Sequence, residues 1–391
     1  MTMVKLDDRL ISVFCQVFGA QYRDQVGPAT SMDDIPEWDS ASFLDLVLSI
    51  EDEFGVTFTP DESVQMFQLG HIQRLIDAVV LDIPHDDVAH ACCLLHELRE
   101  APRDQFNVLV LSGSSTREGL LPAPEAESML QNRLGRSAGW FNLSVSGLVP
   151  AETMQLLEVA GSAWSGVTVF GTSPIILCGC GEAEFVRAAT FARFPFHAPV
   201  MSEILARRGY APKAGERNVT MSLELWIERY LKGRDLAEFR YEPYLYPTLA
   251  PWPPEKFESR EDLLRFYNQS VLNYEESQRI NAELYEAIAD WHERAGIPIV
   301  LVELTLQGRA VAQLDDVGNL TPRYHEFMGE FVRRRNLPYI DAPSIAGITD
   351  ADFRDPAHIF RKREAYTQAI IDGVASAVAP KSTTAIGPGQ G

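Results

Sequence analysis

The chain has 391 residues, 46% of them hydrophobic, so it is long enough to form two domains with buried cores. Its formal net charge of -21 at pH 7 argues against nucleic acid or an anionic membrane as a partner, because like charges repel. The sequence contains neither a run of about 18 apolar residues nor a basic flank before an apolar run, which predicts a cytoplasmic protein without membrane insertion.

Residues 1–82 are predicted to form an acidic, all-helical domain. They hold 15 Asp and Glu residues against 4 Lys and Arg residues. Apolar side chains recur at helical spacing, and Asp39 or Ser40 suits the cap of the second helix. Four helical stretches are predicted: Leu6 to Phe18, Ser40 to Phe54, a short piece opened by Pro60, and Ile72 to Val79.

Residues 83–105 are predicted to be a linker that contains one helix, and the pattern changes at Phe106. From there, short apolar runs alternate with segments of helical length, which is typical of a parallel sheet covered on both faces. The predicted domain of residues 106–379 is therefore α/β, with a helical insertion between Glu182 and Asp290. Its five predicted strands are Phe106 to Leu111, Trp140 to Val145, Val167 to Gly171, Ile297 to Leu304 and Pro338 to Asp341.

The remaining segments carry weaker signals. Residues 380–391 are rich in Gly, Pro, Ser and Thr, which predicts a disordered tail. The five cysteines suggest neither a disulfide framework nor a zinc site, and the histidines lack metal spacing. The run from Tyr241 to Trp252 is interpreted either as a lid or as an ordinary packed loop. Arg117 and Glu118 either bind substrate or pair with each other.

A candidate nucleophile follows the first predicted strand. The run from Val108 to Ser115 places the Ser115 hydroxyl above the carboxyl edge of the sheet, where ligands of open α/β folds bind. A serine needs a base and the base needs an orienting acid, and His358 and Asp355, three residues apart, offer both. The alternatives are ordinary turn chemistry around Ser115 and, near the C-terminus, a helix cap at Asp355 with a surface histidine.

Around Ser40 the sequence resembles an acyl carrier protein. The residues that carry the resemblance are Trp38-Asp39-Ser40, the acidic run from Glu51 to Gly55, and Leu69-Gly70-His71 before the last helix. The resemblance covers about residues 5–80 and implies a four-helix bundle with 4'-phosphopantetheine attached to Ser40 by a phosphopantetheinyl transferase. It also implies that partner enzymes dock on the second helix. Ala41 stands where such carriers usually have Leu, and a helix cap is the alternative interpretation of Ser40.

The second domain resembles the SGNH, or GDSL-type, hydrolases and acyltransferases. The resemblance implies a three-layer α/β/α fold in which Ser115 is the nucleophile, His358 is the base and Asp355 orients it. The amides of Ser115 and Gly147 would be oxyanion donors, and Ser173 stands where the family usually has an Asn. Four blocks carry the resemblance: Gly113 to Thr116, Asn142 to Gly147, Gly171 to Pro174, and Asp355 to His358.

Together these features predict a serine-dependent acyltransferase fused to its carrier. An acyl-loading enzyme would supply the phosphopantetheine thioester on Ser40, Ser115 would accept the acyl group, and a small-molecule alcohol or amine would remove it. If water is the acceptor, the protein is a thioesterase or an esterase. Two further hypotheses stay open, a carrier with a non-catalytic docking domain and an esterase that acts independently of Ser40.

Overall fold

A computed structural model gives the structure of the chain. It describes residues 6–28, 30–58, 63, 66, 68–80, 86–178, 185, 194, 196, 198–209, 222–233, 274–304 and 306–379.

Five strands form one sheet in which every neighbouring pair is parallel, as predicted from the buried apolar runs. The order across the sheet is β2-β1-β3-β4-β5, so the chain moves outward in both directions from β1. The strands are β1 Phe106–Leu111, β2 Ala138–Asn142, β3 Gly166–Thr172, β4 Ile299–Glu303 and β5 Tyr339–Ile340.

Helices cover both faces of this sheet, because successive side chains of each strand point to opposite sides. In β1, Leu109 and Leu111 belong to one buried cluster, whereas Val108 and Val110 belong to the other. On the first face lie the helices Asp86–Glu100, Pro150–Ala160, Pro174–Cys178, Pro199–Arg207, Leu223–Tyr230, Tyr274–Ala295, Gly308–Gly318 and Leu320–Arg335. On the second lie Ala123–Leu134, Ala342–Ile345 and Arg363–Val378.

The N-terminal part has its own apolar cluster. Three helices, Asp8–Phe18, Ser40–Phe54 and Leu69–Val80, contribute buried side chains to it. Trp38 is 3% exposed, and its ring centroid lies 5.4 Å from those of Phe14 and Phe18. The short helix predicted at Pro60 lies outside the described residues.

The segment predicted as a linker contributes to the α/β core. Its helix is Asp86–Glu100, in which Val88, Cys92, Leu95 and Leu98 are 0% exposed. These side chains join the cluster that includes Leu109 and Leu111 of β1. The α/β unit therefore begins about 20 residues before the predicted boundary at Phe106.

The predicted insertion includes a helix that belongs to the core. Tyr285 of the helix Tyr274–Ala295 packs edge-on against Phe170 of β3, with ring centroids 5.3 Å apart, and its hydroxyl lies 2.5 Å from Thr172 Oγ1. The suggested lid at Tyr241 to Trp252 and the predicted tail at residues 380–391 lie outside the described residues. None of the described helices is both long enough and apolar enough to cross a membrane.

Candidate active site

The candidate site lies where the chain order of the sheet reverses. Strands β2 and β3 flank β1, and in open parallel sheets ligands bind outside the carboxyl ends of the strands at such a point. The loop after β2 runs beside the loop after β1, since Val145 donates its N–H to the carbonyl of Ser112 at 3.0 Å. The residues that follow in each loop, such as Ser114 and Gly147, thus lie at the same edge of the sheet.

The hydroxyl that meets the histidine belongs to Ser114. Its Oγ lies 2.9 Å from His358 Nε2, across 244 positions of sequence. Ser115, which the sequence predicts to be the nucleophile, is the next residue along the chain. Ser114 and Ser115 are the first two residues of the short helix Ser114–Gly119. Because consecutive helical residues point about 100° apart, only one of them can face the imidazole.

The other hydroxyls of this turn are placed differently. Ser112 Oγ and Thr116 Oγ1 lie 2.7 Å apart, and both residues are buried. Ser115 is half-buried, and among the described residues its hydroxyl has no hydrogen-bond partner. Ser114 is therefore the one serine of the run that a base contacts in the described part of the chain.

A tight turn holds the imidazole by its other nitrogen. His358 Nδ1 lies 2.8 Å from Asp355 Oδ1 and 2.9 Å from Oδ2. Asp355 Oδ1 also accepts the backbone N–H groups of Ala357 at 2.9 Å and of His358 at 3.0 Å. An aspartate that binds the backbone two residues onward stabilises a turn, and Pro356 restricts the backbone between them. Asp355 thus fixes both the loop and the ring.

Burial and hydrogen bonding act in opposite directions on Asp355, which is 5% exposed. Burial raises the pKa of this carboxyl group, but the charge of a protonated His358 and the hydrogen bonds from His358 and Ala357 lower it, and the net pKa lies below the ordinary value of 3.8. The carboxylate is therefore ionised at neutral pH. It can stabilise an imidazolium that forms when His358 takes a proton from Ser114.

Neighbouring loops brace the Asp355–His358 turn. Phe353 and Ile359 form an antiparallel bridge across it, and Arg354 donates its N–H to the His358 carbonyl at 2.8 Å. The loop after β4 adds a bond from the Gln307 N–H to the Pro356 carbonyl at 3.0 Å. The turn that carries His358 is thus held by backbone contacts from both the flanking residues and the loop after β4.

Gly147 lies in a tight turn after β2. Leu148 donates its N–H to the carbonyl of Val145 at 3.3 Å, and Gly147 has a φ of 62°. Residues other than glycine rarely adopt this conformation, so the turn explains the glycine. Within the described ranges, the Gly147 N–H has no hydrogen-bond partner. Its part as an oxyanion donor stays a prediction, as does that of the Ser115 amide.

Ser173 is 3% exposed and follows β3. Its Oγ accepts the N–H of Ile176 at 3.2 Å, as a cap of the helix Pro174–Cys178. No hydrogen bond joins it to Ser114 or His358 in the part of the chain that the structure describes. A direct role for Ser173 at an oxyanion site is not tested by these contacts and stays a prediction.

A buried ion cluster includes Arg117 and Glu118 of the helix Ser114–Gly119, and its third member was missed in the sequence. Arg117 Nε is 3.0 Å from Glu118 Oε1, so these two residues pair with each other. Arg117 Nη1 is also 3.4 Å from Asp87 Oδ1, and the side chain of Asp87 is 0% exposed. The near-continuous apolar run from Val88 to Leu98 was the signal for a buried helix that could have pointed to Asp87.

The candidate attachment residue, Ser40, lies at the start of a solvent-facing helix. Asp39 caps this helix through its carboxylate, which accepts the N–H groups of Ala41 and Ser42 at 2.9 Å. Asp39 and Ala41, on either side of Ser40, are both exposed. Attachment of phosphopantetheine to Ser40 stays a prediction.

Comparison with known proteins adds no assignment, since no family model and no curated protein matches the chain. Among the described residues, no group of three or more His, Cys, Asp or Glu side chains is arranged to hold a metal ion.

Proposed function

We propose that the chain is a serine-dependent acyltransferase of the SGNH type, fused to an acyl-carrier domain. In this proposal an acyl group passes from a carrier thioester through an ester on Ser114 to an alcohol or amine. The observation that carries the proposal is the contact of 2.9 Å between Ser114 Oγ and His358 Nε2, with Asp355 2.8 Å from the opposite ring nitrogen. A hydroxyl that contacts a base, which in turn contacts an orienting acid, is the arrangement that activates a serine.

The first half-reaction loads Ser114. His358 Nε2 takes the hydroxyl proton as Ser114 Oγ bonds to the carbonyl carbon of the donor, and negative charge develops on the carbonyl oxygen. The N–H groups of Ser114 and Gly147 are the proposed donors to that oxygen. As the bond from carbon to the donor sulfur breaks, His358 would give its proton to the leaving sulfur.

The second half-reaction releases the acyl group. His358, now neutral, removes a proton from the acceptor hydroxyl or amine as that group attacks the ester carbonyl. The Ser114 oxygen leaves and receives the proton from the imidazolium, which restores the starting state. Water in place of the acceptor gives a thioesterase by the same steps.

The N-terminal helices support a carrier role for Ser40. When attached, 4'-phosphopantetheine would supply a flexible arm that ends in a thiol, to which an acyl group binds as a thioester. Leu44 and Leu48 are 60% and 61% exposed on the helix that Ser40 begins, beside the exposed Asp45 and Asp52. Exposed apolar side chains flanked by acids fit a surface on which partner enzymes dock.

Transfer is favoured over hydrolysis because a donor tethered to the same chain has a high effective concentration. A non-catalytic docking domain would not need Ser114, His358 and Asp355 within hydrogen-bonding distance of one another. The geometry therefore favours an enzyme over a docking module.

Intact-mass spectrometry of the full chain tests the proposal. The protein is incubated with a phosphopantetheinyl transferase and acyl-coenzyme A, and then with a candidate alcohol or amine. We expect the mass of an acylated arm on the wild type, none on Ser40→Ala, and loss of the acyl group to the acceptor only when Ser114 is present. Acyl mass that leaves Ser40 equally fast in Ser114→Ala would contradict the proposal.

A further inference from the structure

We propose that Asp87 is a positioning residue, which holds the Gly147 turn in register with the helix that carries Ser114. The inference rests on the proposed function in taking Ser114 as the nucleophile, but it assigns a residue outside the triad. Asp87 Oδ1 lies 3.4 Å from Arg117 Nη1, and Asp87 Oδ2 accepts the N–H of Ser146 at 3.2 Å. One carboxylate thus joins the nucleophile helix to the loop after β2.

Burial makes this bridge stiff. Asp87 is 0% exposed and Arg117 is 5% exposed. Electrostatic attraction and hydrogen bonds are stronger where water is excluded, and breaking a buried pair is costly because the remaining charge is left uncompensated. The helix that contains Arg117 and the loop that contains Ser146 therefore cannot move apart without leaving a buried charge unpaired or exposing it to water.

The bridge sets the direction of a candidate oxyanion donor. The N–H of Ser146 is directed at Asp87, and the bond from Leu148 N–H to the Val145 carbonyl closes the turn that contains it. The next N–H is that of Gly147. With both sides of the turn held, the peptide between Ser146 and Gly147 has little freedom to rotate. A preorganised N–H stabilises a developing oxyanion because it does not have to reorient during the reaction.

Glu118 provides a matched control. It is a second buried carboxylate, 0% exposed, and it contacts Arg117 at 3.0 Å. However, Glu118 lies on the same short helix as Arg117, so this contact does not join the helix to the Gly147 turn. Substitution of either carboxylate should lower the stability of the protein, whereas only substitution of Asp87 should loosen the Gly147 turn.

The kinetic test uses the full chain and a p-nitrophenyl acyl ester. We expect Asp87→Ala to lower kcat about 100-fold, in the range seen when one oxyanion donor is removed, with KM changed less than about 3-fold. Asp87→Asn keeps an oxygen for the Ser146 N–H and should recover kcat to within about 10-fold of the wild type. Glu118→Gln should stay within about 3-fold. Asp87→Leu, which fills similar volume, replaces Asp87→Ala if that variant does not fold.

Hydrogen exchange provides a readout that does not depend on activity. Amide exchange in the peptide spanning residues 143–148 should be at least about 10-fold faster in Asp87→Ala than in the wild type, and unchanged in Glu118→Gln. Equal exchange in all three proteins, or an equal fall of kcat in Asp87→Ala and Glu118→Gln, would overturn the inference. If the wild type releases no p-nitrophenol even as a single-turnover burst, the proposed acylation of Ser114 fails, and the exchange data alone decide whether Asp87 positions the turn.

Discussion

His358 Nε2 lies 2.9 Å from the Oγ of Ser114, although 244 positions separate the two residues in the chain. The short helix Ser114–Gly119 after β1 supplies the hydroxyl, and a turn shortly before the helix Arg363–Val378 supplies the ring. Folding thus places an imidazole nitrogen beside a serine hydroxyl, which is the contact that a base needs to activate a serine.

Replacing His358 by Gln should remove the base but keep a polar side chain of similar size. We expect kcat for a p-nitrophenyl ester to fall at least about 1,000-fold, because the loss of one triad member disables the unit. Steady-state kinetics would measure the change, with circular dichroism to check the fold. Activity within about 10-fold of the wild type would show that His358 is not the base.

Replacing Asp355 by Asn should distinguish the effect of its negative charge from its effect on the structure of the turn. Asn keeps an oxygen that can accept the N–H groups of Ala357 and His358, which Asp355 Oδ1 accepts at 2.9 and 3.0 Å. It cannot stabilise an imidazolium, so we expect kcat to fall roughly 100- to 10,000-fold with little change in melting temperature.

The control for Asp355→Asn is Asp350→Asn. Asp350 Oδ1 accepts the Gly308 N–H at 2.7 Å and is exposed, and this aspartate lies only five positions from Asp355. Its replacement should leave kcat within about 2-fold. Equal effects of the two substitutions would argue against a special role for the buried carboxylate.

His292 should make the protein less stable at acid pH. Burial lowers the pKa of His292 to about 4, although the hydrogen bond to the Ile297 carbonyl acts in the opposite direction. Because the unfolded chain has the ordinary pKa of about 6.5, it binds the proton more tightly than the folded protein does. The stability from this residue is complete above pH 6.5 and is lost as the pH falls towards 4.

Urea unfolding at several pH values would test the role of His292. Each unit of pKa difference is worth about 1.4 kcal/mol, so the wild type should lose up to roughly 3 kcal/mol more than His292→Gln between pH 6.5 and pH 4. If the free energy of unfolding has the same pH dependence in the two proteins, His292 does not titrate in this way.

Gly171 should not tolerate a side chain. A Cβ atom at this position in β3 would lie 2.0 Å from Ser112 Oγ and 3.1 Å from Leu304 Cδ2. We expect Gly171→Ala to lower the free energy of unfolding by about 1–3 kcal/mol, the usual cost of overpacking, and to lower kcat because Ser112 precedes Ser114 by two positions.

Gly329→Ala is the control for Gly171→Ala. Gly329 lies within the helix Leu320–Arg335, and a Cβ there would meet no atom within 4 Å. Since Ala favours the helix more than Gly does, this variant should be as stable as the wild type or up to about 1 kcal/mol more stable. Chemical denaturation measures both proteins. If Gly171→Ala leaves the free energy of unfolding unchanged, β1 and β3 can move apart to make room for the methyl group.

The sheet could be predicted from the sequence because its strands are buried on both faces and read as short apolar runs. The bounds of β1 agree with the prediction, and those of the other strands differ by one to three residues. The pairing of Asp355 with His358 was also predictable, since residues three apart in a turn are neighbours whatever the rest of the chain does.

The choice between Ser114 and Ser115 could not be made from the sequence. Both follow Gly113, and which of them faces His358 depends on the phase of a six-residue helix relative to a distant loop. Asp87 was missed for a similar reason, since its partners Arg117 and Ser146 lie 30 and 59 positions away. Contacts between distant segments produce no periodic pattern in the amino-acid sequence, so they cannot be predicted from it.

Covalent labelling of the nucleophile tests the central claim most directly. The wild type, Ser114→Ala and Ser115→Ala are treated with a fluorophosphonate, which reacts with serines activated by a base, and the labelled peptide is sequenced by mass spectrometry. We predict one label on Ser114 in the wild type and in Ser115→Ala, and none in Ser114→Ala. Labelling of Ser115, or of Ser114→Ala to the same extent as the wild type, would contradict the assignment of Ser114 as the nucleophile.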